Sequence, residues 1–502
     1  MAHVSKGIET KSDAFAAPRM SQLVAVFMVL VLELVIAYQV ANGYSLYLLF
    51  SFLLISLLVL AFFSLESAVL FLFVYITFDG LIKNLTSYNP FVHVAKDVFL
   101  LAILTAYLIP RLLKKESLIS GTPINFLILI FALICFLQFL NPATHPIVGL
   151  GGIKIHVLPI ALFFIAFSVF ETKEQIDRFV VVLVVLGTVV AIYSFVQYIQ
   201  GAENVAKMGP GFSNVVYDRA ALWRSTTTGS VNFRPFSTAQ DCGAAAMYYL
   251  VTLPLALALL MAKRSSTTRR LFLVSSAGLL FSALILSGVR TAWLGALLGL
   301  LLFGILSKKA RLFFVVLFLG ALALYFALFL SSGGIMERIQ LIANPWQAFV
   351  ESRSVGITDH LVWAVNAYPF GRGLGRAGPG GAVFAQWFPQ EASSFVGAHN
   401  YFLVMIYEIG VAGALVILWI SLAVLRQGFN LLKQLQDKDL KWVAIGITSM
   451  LFAMLLTWLG GPTLMSNPAG YYFWFLSGML LKLKYIDEPE LDLTQVQGGA
   501  SG

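Results

Sequence analysis

From residue 21 to residue 484 the chain keeps returning to apolar runs long enough to cross a lipid bilayer. A spanning helix needs about 17–25 such residues. Runs of that kind lie at 21–41, 44–63, 66–82, 93–110, 124–140, 154–170, 179–200, 236–262, 271–287, 290–306, 311–331, 399–425, 442–460 and 469–484. Backbone groups left unpaired in hydrocarbon cost several kcal/mol each, so every run must be helical. Charged residues make up 11% of the chain, against about 25% in a soluble domain. Lipid is therefore its solvent. The expected fold is all-α: a polytopic integral membrane protein of about fourteen transmembrane helices, least secure in its count over 66–110.

The distribution of Lys and Arg gives the orientation. With the N-terminus inside, 21 of the 33 fall on the inner side, as the positive-inside rule asks. Both termini are then cytoplasmic. The chain divides into an N-terminal tail (1–20), an N-terminal transmembrane bundle (21–200), an outer loop (201–235), core transmembrane helices (236–331), a large outer loop before His399 (332–398), C-terminal transmembrane helices (399–484) and a tail (485–502). The first run lacks a small-residue cleavage site, so it reads as a retained span. Arg426–Lys441 reads as an interfacial helix, and Asp359–Tyr368 as a short helix stopped by Pro369.

The net charge of +9 suits anchoring on anionic head groups. No soluble basic tract points to nucleic acid. Cys135 and Cys242 both fall in or beside apolar segments and read as small buried residues. No HExxH, no DxD in an outer loop and no Cys/His spacing marks a metal site, so neither a metal nor a cofactor is expected.

The outer cations are the informative ones. They are Lys83, Lys96, Lys154, Lys207, Arg219, Arg224, Arg234, Arg290, Arg338, Arg353, Arg372 and Arg376. Topology alone would deplete these positions of charge. The preference for arginine suits bidentate contact with phosphate or carboxylate. Solvated loop charges are the rival reading. In Gly371-Arg372-Gly373-Leu374-Gly375-Arg376 glycines alternate with arginines, a pattern that fits either an anion-binding nest or a flexible turn.

His399 stands where the large outer loop enters a long apolar run. A helix N-terminus disfavours imidazolium and leaves a neutral ring able to take a proton. That makes it the candidate general base, with Asn400 beside it to orient it or an acceptor. Arg234 and Arg290 sit at two span boundaries where guanidinium groups would bracket a diphosphate leaving group; snorkelling to head groups is the alternative for each. Glu408 lies inside a span, where an ionisable group marks function by default. It would pair with Arg290 or Arg234, or form a structural ion pair. Glu33 is a weaker instance. His93, His145, His156 and His360 are read as inert. Trp363, Trp387, Phe388 and Phe395 offer either sugar-stacking surfaces or interface packing.

Three segments together resemble the bacterial O-antigen ligase and polymerase superfamily: Asn232-Phe233-Arg234-Pro235-Phe236, the turn Ser287-Gly288-Val289-Arg290-Thr291-Ala292-Trp293, and the block from Pro369-Phe370-Gly371-Arg372-Gly373 to His399-Asn400-Tyr401-Phe402-Leu403, continuing through Glu408-Ile409-Gly410 and Gly413. The likeness covers roughly 200–425. It implies a glycosyltransferase of the bacterial inner membrane with its site on the periplasmic face. The donor would be an undecaprenyl-diphosphate-linked glycan, and the acceptor a lipid A-core (ligase) or another carrier-linked glycan (polymerase). His399, Arg290 and Arg234 would be catalytic, transfer would invert the anomeric centre, and Arg353, Arg372, Arg376, Asn400 and Glu408 would contact substrate. A polytopic transporter and a lipid-linked glycan flippase are the readings from another class. The first would place its charged residues near mid-membrane in paired halves and the second would line a central cavity with arginines throughout its helices, whereas here they gather at one face.

Overall fold

The computed structural model describes residues 45–219, 222–225, 231–262, 266–308, 355–378 and 400–487. The apolar runs at 21–41 and 311–331 lie outside these, as do Glu33, Arg338, Arg353, Trp387, Phe388, Phe395 and His399. Elsewhere the runs form helices in chain order: α1 (Ser45–Phe63), α2 (Leu65–Leu85), α3 (Pro90–Leu113), α4 (Asn125–Phe139), α5 (Pro146–His156), α6 (Ala161–Val169), α7 (Lys173–Ala206), α8 (Pro210–Asp218), α9 (Cys242–Met261), α10 (Thr267–Ser287), α11 (Arg290–Ser307), α12 (Val355–Ala367), α13 (Tyr401–Gln434), α14 (Lys438–Thr457) and α15 (Ala469–Asp487). A two-stranded hairpin, β1 (Trp223–Ser225) against β2 (Val231–Phe233), is the exception to the all-α expectation among the described residues.

Nine helical stretches among the described residues are long and apolar enough to cross a membrane. The polytopic helical fold stands on these nine; two of the expected fourteen runs lie outside the described residues, so the count of fourteen is not tested. Three local departures have physical causes. The run at 154–170 belongs to a longer stretch, Pro146–Val169, broken by a 3-10 turn at Leu158–Ile160 where Pro159 cannot donate to a helix. The run at 124–140 makes only the short apolar helix Asn125–Phe139. No separate interfacial helix forms at 426–441, because the part of α13 that follows Gly410 continues to Gln434.

The chain divides into two compact units. One takes in residues up to 72 together with Pro90–Glu116, and the other Phe73–Asn89 with everything from Ser117 onward. In the first, α1 packs on α3 around Leu57, Ala61, Val92 and Phe99, and Phe71 meets Phe99 edge-on at 5.8 Å. The second unit is built around α9, which packs against α7, α10, α11, α14 and α15. Its sequence is apolar on all sides, as a helix enclosed by other helices must be. The segment expected as an outer loop at 201–235 has its own small core, with Val205, Phe212, Val215, Val216, Leu222 and Phe236 fully buried together.

Charge pairs tie three segments of the second unit together at one end. Asp177 receives both guanidinium nitrogens of Arg269, at 2.6 and 3.0 Å, and Asp437 receives Lys173 at 3.1 Å. The loops at 171–178, 263–270 and 426–441 thus share an end, as their Lys and Arg content predicts. The 21 residues of α10 carry the chain about 30 Å away from it. The candidate site lies at that other end.

Candidate functional site

Arg234 is placed by the folded segment before α9. Its backbone N–H donates to the Leu222 carbonyl at 3.0 Å, just before the hairpin. The buried Gln197 then fixes the next turn: its Oε1 accepts from the amides of Phe236 (3.1 Å) and Ser237 (2.7 Å), and its Nε2 donates to the Ser237 carbonyl (3.1 Å). Asp241 caps α9 through the Ala244 amide. Held this way, the Arg234 side chain is buried, and its Nε donates to the Ser287 carbonyl at 2.8 Å. Ser287 ends α10, Gly288 closes it in the left-handed conformation, and Arg290 opens α11. The two arginines, 56 positions apart in sequence, thus flank one three-residue turn.

Arg290 occupies an electrostatically awkward place. The start of a helix carries partial positive charge, and cations are disfavoured there. No side chain caps α11 at Val289, so its first amides are not taken up by a cap. A cation and uncapped amides at one helix start suit an anionic ligand.

A second helix start converges on the same place. Asn400 caps α13, its Oδ1 accepting from the amides of Phe402 (2.8 Å) and Leu403 (3.3 Å), while its Nδ2 donates to the Leu459 carbonyl (3.3 Å). The Tyr401 amide donates to the Trp458 carbonyl at 3.0 Å. Gly460 in that same turn packs so tightly on Thr291 that a side chain there would clash. The starts of α11 and α13 therefore meet across the 458–460 turn. The geometry gives Asn400 a capping role, which occupies its side chain.

The glycine–arginine run is not an open nest. It wraps residue 408, whose side chain is wholly buried. The amides of Arg372 and Gly373 donate to the carbonyls of Tyr407 (2.7 Å) and Glu408 (3.1 Å). The amide of Ala377 donates to Glu408 Oε1 at 2.7 Å, and Glu408 Oε2 meets His156 Nε2 at 2.8 Å. Of the readings of Glu408, pairing with Arg234 or Arg290 is thus corrected: its carboxyl meets His156, a histidine read from sequence as inert, in a buried structural pair. A usable signal existed: a carboxyl inside an apolar span must find a polar partner, and His156 follows a Gly149–Gly152 stretch slim enough for another chain segment to approach. Gly152 in fact packs directly on Leu374.

Arg376 is buried and donates to the Ala143 carbonyl, anchoring the loop to the start of α5. Arg372 is half-buried, with its guanidinium on the hydroxyls of Tyr368 (3.2 Å) and Tyr407 (3.5 Å) and 5.6 Å above the Tyr368 ring. Burial acts to lower its pKa, but the two tyrosines outweigh this and leave it raised, so it stays charged. Trp363 packs edge-on against Tyr368 at 5.2 Å.

Lys83, read from sequence as an outer-face cation, is instead wholly buried and paired with Asp79 at 2.7 Å. The same Asp79 oxygen accepts from Asn467 (3.0 Å) and Gln240 (3.3 Å). Together with the bond from the Leu81 amide to the Thr238 carbonyl (2.9 Å), this fastens α2 to the segment that follows Arg234. Lys96 is likewise mostly buried, 3.6 Å from Asp97. Cys135 and Cys242 are buried free thiols, as expected. No group of three or more His, Cys, Asp or Glu able to hold a metal occurs among the described residues.

Residues 275–418 match the family model described as O-antigen ligase. The matched segment holds Arg290, Arg353, Arg372, Arg376, His399, Asn400 and Glu408; Arg234 and His156 lie outside it. No curated protein matches the chain.

Proposed function

We propose, on the premise that residues 275–418 are an O-antigen ligase family segment, that the chain is a membrane glycosyltransferase moving a glycan from a polyprenyl-diphosphate carrier to an acceptor hydroxyl. The observation that carries the reading is the turn at Ser287–Arg290. It presents Arg290 at an uncapped helix start with Arg234 pinned beside it, an arrangement that favours an anion and suits a diphosphate.

In this reading the carrier diphosphate lies against Arg234, Arg290 and the first amides of α11, with its lipid tail among the helices. His399, next to Asn400 in the chain, takes the proton of the acceptor hydroxyl. The freed oxygen attacks the anomeric carbon from the face opposite the diphosphate. The bond to the diphosphate oxygen breaks, and the anomeric configuration inverts. The guanidinium groups stabilise the negative charge that grows on the leaving group. The site faces the periplasm, and the carrier is undecaprenyl diphosphate.

In this reading the acceptor is a lipid A-core, as in a ligase; a second carrier-linked glycan is the polymerase alternative. Reconstitution in liposomes with carrier-linked glycan and both acceptor types tests this. Transfer to the lipid A-core with chelator present is the expected result. Transfer only to a second carrier-linked glycan would make it a polymerase, and no transfer to either would remove the assignment.

A further inference from the structure

The break in α13 explains why the glycine–arginine loop docks where it does. Gly410 sits at φ +77°, outside helical values. In an unbroken helix the Tyr407 carbonyl would take the amide of Val411. Here Val411 donates instead to the Pro369 carbonyl at 2.9 Å, and the amide of Arg372 takes Tyr407 at 2.7 Å. The loop therefore replaces part of the helix's own ladder. The Glu408 side chain then closes the far side of the loop through Ala377, and His156 holds the remaining carboxyl oxygen. Both side chains are almost fully removed from solvent, so neither is placed to touch substrate. What they do fix is the backbone at Ala377, the far end of the loop that carries Arg372, whose guanidinium rests on Tyr368 and Tyr407.

We infer that Glu408 and His156 are positioning residues, and that they act by setting the direction in which Arg372 is presented to an anionic group of the glycan donor. The inference rests on the proposed glycan transfer only for the identity of that anion. The geometric half of it stands separately. Removing the carboxyl leaves the Ala377 amide and the His156 ring without their partner, and a buried group stripped of its partner costs free energy that the loop relieves by moving. The Glu408→Gln variant keeps an oxygen for Ala377 and offers an N–H to the His156 ring in the tautomer whose Nε2 accepts, so the loop stays in place.

The test has two arms. In the first, Arg372→Cys is introduced into the full-length protein in liposomes and labelled with a charged thiol reagent; both native cysteines are buried, so the new thiol dominates the signal. The labelling rate is expected to change several-fold on adding Glu408→Ala or His156→Ala and to stay unaltered with Glu408→Gln. An unaltered rate in all three overturns the inference whatever the enzyme's activity. In the second arm, Glu408→Ala is expected to raise KM for the carrier-linked donor about tenfold with little change in kcat, the signature of lost binding, with Glu408→Gln restoring it. Glu408→Ala and Arg372→Ala should not add when combined, because the one acts through the other. Additive effects overturn the inference. Absence of transfer by the wild type would instead count against the proposed function and leave the labelling arm readable. If Glu408→Ala does not fold, His156→Ala carries both arms.

Discussion

Arg234 Nε donates to the Ser287 carbonyl at 2.8 Å, so the side chain proposed to hold one phosphate also caps the end of α10. A cation is welcome there, since helix C-termini carry partial negative charge. The same bond fixes the start of α11, and with it Arg290. Position and chemistry are thus coupled in one contact.

That coupling predicts different outcomes for the two arginines. Arg290→Lys keeps the charge and loses the planar fork. It should lower transfer about 100-fold, the scale seen when one donor to a developing oxyanion is removed, with little change in thermal stability. Arg234→Lys should cost activity and also lower Tm, because lysine lacks the Nε donor for Ser287. Transfer assays and detergent-solubilised melting curves on both variants check this. Wild-type rates in Arg290→Lys would point to head-group snorkelling.

His399→Ala should abolish measurable transfer while expression and melting behaviour stay as in the wild type. A positioned base contributes typically 10²–10⁴-fold, which is about the dynamic range of a gel-based assay of polymer attached to the lipid acceptor. Donor binding measured separately should persist, since the imidazole is assigned to the acceptor. Loss of donor binding would move His399 to the diphosphate side of the reaction.

How far the sequence foretells this structure depends on the range of each interaction. Hydrophobic run length finds most helices, because the bilayer reads each run separately. The Lys/Arg bias places 171–178, 263–270 and 426–441 at one end, and the Arg269–Asp177 and Lys173–Asp437 pairs bear it out. The Arg234–Arg290 convergence is legible as two arginines at span boundaries, though not as a shared turn. The Glu408–His156 pair is only half legible: a carboxyl inside an apolar span must find a polar partner, but across 252 positions no local periodicity names it. Lys83 misleads for the opposite reason. Its charge suggests water, while its partner one helical turn back lets it be buried.

Gly410→Ala should be strongly destabilising. The left-handed conformation at Gly410 is strained for alanine, and a Cβ would lie 2.6 Å from the Pro369 carbonyl oxygen. A straightened α13 would reclaim the Tyr407 carbonyl and expel the loop. The expected outcome is a lower Tm together with loss of transfer, and the two losses should also appear together in Gly371→Ala, whose Cβ would meet the Glu408 carbonyl oxygen at 2.7 Å. A variant with wild-type Tm and activity at either position would show that the loop is not held against the helix break.

Asp437 gives a pH signature at the opposite end. Its carboxylate accepts from the Asp439 (2.8 Å) and Leu440 (3.0 Å) amides and from Lys173. Burial pushes its pKa up, but the Leu440 amide, Lys173 and the Asp439 amide prevail and hold it below the usual 3.8. A depressed folded-state value means that the stabilisation is complete above the ordinary carboxylate range and is lost as pH falls through the folded value. Asp437→Asn should therefore lower Tm at neutral pH, and the gap from wild type should narrow as pH drops below 3.8. A gap that does not change with pH would mean that the loss does not come from the ionised carboxylate.

The Asp79–Lys83 pair is a case in which one partner's removal should hurt more than removal of both. Lys83→Met leaves a carboxylate that is wholly buried, answered among the described residues by the side-chain amides of Asn467 and Gln240. Breaking a buried pair from one side costs about 3–5 kcal/mol, whereas replacing both partners by apolar groups is often neutral. Lys83→Met should thus lower Tm sharply, and the double variant Asp79→Leu with Lys83→Met should recover most of the loss. Recovery of transfer need not follow, because Asp79 also holds Gln240 and Asn467, and through Gln240 the segment that carries Arg234. If the double variant melts like the wild type but transfers poorly, the pair's contribution is to place Arg234. If it melts no higher than Lys83→Met, the carboxylate was not the source of the cost.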